Sequence, residues 1–79
     1  MNVAEVSEES VRTKLRSENP EFQKLEQEHR ELDKRLMSFE THVYLSPEEE
    51  FERRRLQKIK LATKDRIADM IRRYKAGNA

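Results

Sequence analysis

Apolar positions between residues 22 and 43 recur at alternating steps of three and four. The set is Phe22, Leu25, His29, Leu32, Leu36, Phe39 and Val43, with a histidine where an apolar residue is expected. The mean spacing of about 3.5 residues is typical of a heptad seam, which keeps one helix face against a partner helix. We therefore expect a helix at about Pro20–Thr41, with Asn19 as its N-terminal cap.

A second apolar stripe follows a break at "THVYLSPEEE". Its members are Leu56, Ile59, Thr63, Ile67, Met70 and Tyr74, at the mean step of about 3.6 residues of a straight helix. Ser46 and Glu49 have the spacing of a capping box around Pro47. We predict a helix at about Pro47–Lys75, with Gly77 as its stop signal.

A short helix is also expected ahead of the two long ones, at about Ser7–Ser17. Ser7 can cap it, and Val11 and Leu15 lie four residues apart on one face. The predicted fold class is thus all-α, an antiparallel helical hairpin of two long helices preceded by a short N-terminal helix. Residues 1–79 form a single domain, in which residues 1–18 are an N-terminal arm with the short helix and residues 19–76 are the hairpin.

The lengths of the two stripes predict the packing of the hairpin. With the turn near Tyr44 and Leu45, facing residue numbers sum to about 89, which places His29 level with Thr63. The second helix is the longer, so its last turns, including Met70, Ile71 and Tyr74, are left partly uncovered. The short helix or a partner chain can cover this overhang. The predicted structural seam consists of Phe22, Leu25, His29, Leu32, Leu36, Phe39, Leu56, Ile59, Thr63, Ile67 and Met70.

Composition limits the chain to one small domain. It has 79 residues, no cysteine, 17 basic and 16 acidic residues. Dense charge of mixed sign with few Gly and Pro residues is typical of solvated helix faces rather than disorder. No apolar run approaches the length of a membrane span, and the first residues lack the pattern of a signal peptide. We expect a cytoplasmic protein.

Two segments resemble the YdcH-like family of small bacterial proteins, a domain of unknown function with a helical-hairpin fold. They are "NPEFQKLEQEHRELDKRL" and "RRRLQKIKLATKDRIADMI". The family pattern is matched by Phe22, Leu25, His29, Leu32 with Asp33, and Lys64-Asp65-x-Ile67. The chain departs from it at "LATK", where Thr63 replaces a leucine. The resemblance implies the hairpin fold and no activity.

Candidate catalytic or metal-binding chemistry is sparse. His29 is interpreted as a seam residue that sets the register of the helices, because a metal site needs three or four converging ligands. Glu26, Glu28 and Glu31 are expected to be solvated. A helical hairpin offers no cleft in which paired carboxylates would work as acid and base, and the only glycine is Gly77. We predict no enzyme, no catalytic residue, no metal and no cofactor.

Protein–protein contact is the favoured function, and nucleic-acid binding is the alternative. Leu61, Phe51 and Ile71 lie off the apolar stripe and favour self-association as a homodimer through helix–helix contacts. Arg53–Arg66 holds seven basic residues and one acid, a local charge of +6 that could follow phosphates. No membrane or small-molecule partner is expected. The candidate interaction residues are Leu61, Ile71, Tyr74, Arg53, Arg54, Arg55, Lys58 and Lys60.

Overall fold

The computed structural model describes residues 7–77, and this part of the chain is helical without a strand. Helix α1 spans Glu8–Glu18, α2 spans Pro20–Glu40 and α3 spans Pro47–Gly77. The predicted helices are confirmed to within two residues at each end. Residues 1–6 of the predicted N-terminal arm, like residues 78–79, lie outside the described part.

Local capping chemistry determines where each helix begins. The Ser7 hydroxyl accepts a hydrogen bond from the Ser10 amide at 3.1 Å. The Asn19 side chain accepts from the amides of Glu21 at 2.9 Å and Phe22 at 3.3 Å. These bonds satisfy amides that have no partner within the helix, so both predicted caps are confirmed.

The third helix begins with the predicted capping box. The Ser46 amide donates to Glu49 at 2.9 Å, and the Glu49 amide donates to the Ser46 hydroxyl at 3.1 Å. Pro47 occupies the first helical position, where its missing N–H costs no hydrogen bond. This box separates α3 from α2, so the two helices do not form one continuous rod.

Buried apolar side chains form two separate clusters. The first cluster consists of Val11, Leu15, Phe22, Ile67 and Ile71, with Leu25, Met70 and Tyr74 packed against it. The second cluster consists of Leu32, Leu36 and Leu56, with Phe39 packed against it. All three helices contribute to the first cluster, whereas only α2 and α3 contribute to the second. Between the clusters Thr63 is buried, and its hydroxyl donates to the Ile59 carbonyl of its own helix at 2.9 Å.

Two positions of the predicted apolar stripes are exposed instead of buried, and α1 covers Ile71 in the predicted overhang. Ile59 is 38% exposed, and Val43 lies exposed in the α2–α3 connection instead of extending the α2 stripe. Ile71 is only 4% exposed, because Val11 and Leu15 of α1 pack in its cluster. Helix α1 packs against the edge of the α3 stripe that contains Ile71. Ile59 lies at the opposite edge of that stripe, which α1 does not cover.

Leu56→Ala tests the packing of the second cluster. Leu56 is almost fully buried, so its truncation is expected to lower the free energy of unfolding by about 2–5 kcal/mol. The exposed Leu61 is the matched control, and Leu61→Ala is expected to change it by no more than about 0.5 kcal/mol. Ile59→Ala is expected to fall between the two. Thermal melts measure all three, and equal losses for Leu56 and Leu61 would show that the buried face of α3 is assigned wrongly.

Candidate interaction surface

A buried carboxylate fastens α1 to α2. Glu26 is 8% exposed, and its two carboxylate oxygens accept hydrogen bonds from the Arg16 guanidinium at 2.7 and 3.1 Å. Arg12, one turn earlier on α1, approaches the same carboxylate at 3.5 Å. Paired N–H donors from one guanidinium define both the distance and the orientation of the two helices. This ion pair lies beside the first cluster and holds α1 over it.

The ion pair also changes the titration of its carboxylate. The hydrogen bonds from Arg16 hold the pKa of Glu26 below its ordinary value of 4.5, although burial alone would raise that pKa. Glu26 was expected to be solvated, and this expectation is wrong. The sequence feature that indicates the ion pair lies on α1. There Arg12 and Arg16 directly follow Val11 and Leu15, the two apolar residues that pack into the first cluster.

An open groove continues the same face of α2 and α3 beyond α1. Met37 and Leu61 line it and are 58% and 61% exposed, Leu36 lies among its lining residues, and its volume is about 350 Å³. The polar lining residues are Asp33, Glu40, Gln57, Lys60 and Lys64. The Lys60 ammonium pairs with the Asp33 carboxylate and joins the two helices beside the groove.

Helical spacing shows that α1 and the open groove share one face. Asp33 and Met37 follow Glu26 by seven and eleven residues, which at about 100° per residue returns to within about 20° of the same direction. On α3, Lys64 and Lys60 precede Ile71 by the same seven and eleven residues, so they point in nearly the same direction as Ile71. Glu26 and Ile71 both contact α1 residues. Within residues 7–77, α1 therefore covers one half of this face and leaves the other half open.

Most of the basic run on α3 is neutralised by carboxylates. Arg53 and Arg54 pair with Glu50 at 2.5 and 3.3 Å, and Arg55 pairs with Glu52 at 2.7 Å. The hydrogen bonds from these arginines hold the pKa values of Glu50 and Glu52 below the ordinary range. Further along, Lys60 pairs with Asp33 and Arg66 with Glu21. Lys58 and Lys64 are the members of the run without an ion pair to a carboxylate in residues 7–77.

Three other apolar residues that the sequence suggested as contact residues do not line the open groove. Ile71 is buried under α1, so it is not an exposed contact, and Tyr74 is half-buried against the first cluster. Phe51 is 71% exposed near the start of α3, ten residues before Leu61. Of the apolar candidates, Leu61 is the one that lines the groove, and sequence reasoning missed its neighbour Met37.

His29 lies half-buried between the two clusters of the core. Its Nε2 atom is buried and has no hydrogen-bond partner among the described residues. Thr63, which was predicted to lie level with His29, does not supply that partner, and its hydroxyl donates to the Ile59 carbonyl. In residues 7–77, no three His, Cys, Asp or Glu side chains converge as a metal site would require.

Comparison with known proteins matches the two long helices. A family model described as a protein of unknown function (DUF465) matches residues 22–71, a range that begins in the first turn of α2 and ends at Ile71 on α3. The short helix α1 lies outside the match. No curated protein and no solved structure matches the chain. No described helix is both long enough and apolar enough to cross a membrane.

Glu26→Gln tests the fastening of α1. A carboxylate whose folded pKa lies below its unfolded pKa stabilises the fold above the unfolded value, and this stabilisation is lost as pH falls through the folded value. The variant is expected to melt at a lower temperature at pH 7 and to lose that part of the pH dependence below 4.5. Its loss should be smaller than that of Leu56→Ala, because the side-chain volume is kept. Thermal melts followed by circular dichroism measure both effects.

The exposed Glu28 supplies the matched control for this measurement. Glu28→Gln removes one charge two residues further along α2 at an exposed position and should leave the melting temperature at pH 7 unchanged. If Glu26→Gln behaves like Glu28→Gln, the ion pair does not hold α1.

His29→Leu tests whether the histidine is structural. A buried polar atom without a partner costs free energy, so its replacement by a similarly sized apolar side chain is expected to leave the fold unchanged or stabilise it by about 1 kcal/mol. His42 is the control: it is exposed, and its Nδ1 lies 3.1 Å from the Ser38 carbonyl, so His42→Leu should bring no gain. Melting temperatures compare the two. A fold kept by His29→Leu together with loss of partner binding or of a metal-dependent signal would assign His29 a functional role.

Proposed function

The chain belongs to the DUF465 family of proteins of unknown function, which includes the YdcH-like proteins, and from this premise we propose that it is a non-enzymatic adaptor or assembly module. It acts through helix–helix contacts with another protein chain, and the open groove is the contact surface. The place of action is the cytoplasm, in keeping with a chain of dense charge that has no cysteine.

The observation that carries this proposal is the exposed apolar pair Met37 and Leu61. Their side chains line one continuous groove between α2 and α3 instead of standing singly on the surface. Apolar patches bordered by charged residues are typical of protein contact sites. Asp33 and Lys60, which pair across the two helices, form such a polar border and keep the helices at a defined separation.

The hairpin itself provides a rigid platform for this groove. We infer that α2 and α3 run antiparallel, on the basis of their ion pairs. Three ion pairs join α2 to α3: Arg35–Glu52, Asp33–Lys60 and Glu21–Arg66. In this order the residue numbers fall along α2 and rise along α3, as they do between antiparallel helices. A groove built on two helices joined at three levels keeps its shape when a partner binds.

The absence of enzymatic activity is part of the proposal, and the state of the carboxylates supports it. Asp33 and Asp69, like Glu26, each bind a basic side chain whose hydrogen bond holds the pKa of the carboxyl below its ordinary value. A general acid needs a raised pKa so that it carries a proton near neutral pH. These carboxylates are instead held in the ionised form.

Nucleic-acid binding by Arg53–Arg66 is the alternative. The arginines of the run are exposed enough to exchange carboxylate for phosphate, Arg54 above all. Against it stand the ion pairs of five of the seven basic residues. Binding through phosphates would weaken steeply between low and moderate salt, whereas apolar helix packing would not.

Affinity capture from native cytoplasm separates the two functions. The tagged chain is compared with the double variant Met37→Ser/Leu61→Ser and with the control Phe51→Ser. Phe51 is a somewhat more exposed apolar residue on α3 that lies outside the groove. Each sample is washed at low and moderate salt, with and without nuclease. The proposal expects a protein, or a second copy of this chain, that the wild type and the control retain under every wash and the double variant loses. Capture that disappears with nuclease and salt, or is equal for all three chains, contradicts it.

A further inference from the structure

The open groove carries unpaired charges of opposite sign at its two ends. Glu40 and Lys64 line the groove, and neither forms an ion pair with another residue of the described part. Asp33 and Lys60 pair at one level of the hairpin. From that level, Glu40 lies seven residues along α2, about 10 Å, and Lys64 lies four residues along α3, about 6 Å. Since the ion pairs join rising numbers on α3 to falling numbers on α2, these two displacements point in opposite directions.

This arrangement is complementary to itself. A two-fold axis that lies in the plane of the groove, perpendicular to the line from Glu40 to Lys64, exchanges the two positions. It places Glu40 of each copy against Lys64 of the other, and Met37 and Leu61 of both copies meet between the charges. Interfaces of homodimers are isologous in this way, with one patch serving both sides.

We propose that the open groove is a homodimer interface, held by apolar contacts at Met37 and Leu61 and by two reciprocal Glu40–Lys64 ion pairs. This inference rests on the proposed function, since it names a second copy of the chain as the partner for the same groove. It commits to one face of the molecule and one pairing of charges.

The size of the face and the position of α1 both fit a second copy. The molecule measures 51 × 26 × 17 Å, so half of its broad face is about 650 Å². This area lies near the low end of the roughly 600–1,000 Å² that specific interfaces bury on each partner. The half already covered by α1 is excluded, because Glu26 and Ile71 are buried there. The second copy therefore docks on the half that contains Met37 and Leu61.

Charge reversal with rescue tests the proposal. In a dimer of the Glu40→Lys variant, both contacts between positions 40 and 64 join two lysines. In a dimer of the Lys64→Glu variant, both contacts join two glutamates. Each variant alone is expected to dimerise about tenfold more weakly at low salt, where charges are least screened. An equimolar mixture is expected to recover the wild-type affinity as a heterodimer, because both contacts then join lysine to glutamate. Both sites are exposed helix positions, and circular dichroism checks that each variant keeps its fold.

Sedimentation equilibrium from about 1 µM to 1 mM protein measures these affinities and covers weak as well as moderate dimers. Leu61→Ser should be a folded monomer over this range, whereas the control Phe51→Ser should dimerise like the wild type. A wild-type chain that stays monomeric overturns the inference, and so do variants that weaken the dimer without rescue in the mixture. A monomeric wild type leaves the adaptor function standing, because affinity capture tests that function independently of self-association.

Discussion

The packing of Phe22 against α1 and α3 is the interaction on which the rest of the structure depends. Its side chain is fully buried in the first cluster, where Val11 and Leu15 come from α1 and Ile67 and Ile71 from α3. It is thus the point at which all three helices meet. A chain of 79 residues has few apolar side chains to bury, and the second cluster contains three buried ones, of which Leu56 alone is almost fully buried. Without the contribution of α1, the core would consist of a two-helix seam open on both sides.

The division of one face into a covered and an open half follows from this use of α1. The eleven residues of α1 extend about 16 Å, far less than the 31 residues of α3. Glu26 attaches α1 at the Phe22 end, so within residues 7–77 no helix lies above the opposite end of the same face. Met37 and Leu61 are exposed there for that reason, and the groove they line is a consequence of where α1 is held.

Local chemistry in the sequence predicted the helices, whereas their relative placement depended on contacts that no short segment reveals. The caps at Ser7, Asn19 and Ser46 follow from hydrogen bonds between neighbours in the chain. Ile59 and Ile71 lie at opposite edges of one stripe on α3, and periodicity alone does not say which edge is buried. The position of α1 decides between them. Glu26 was misjudged for the same reason, since its partner Arg16 lies on another helix.

The family match spans residues 22–71, so it includes both long helices up to Ile71 and leaves α1 outside. The central claim is that α1 lies on the end of the α2–α3 pair that contains Phe22, and not on the end that contains Met37 and Leu61. Nuclear Overhauser contacts between the Val11 and Leu15 methyl groups and the Phe22 ring, measured on the full chain, test it most directly. The account predicts strong contacts of both methyl pairs with Phe22 and Ile71, and none with Met37 or Leu61. Contacts of the α1 methyl groups with Met37 or Leu61, or no long-range contact at all, would contradict it.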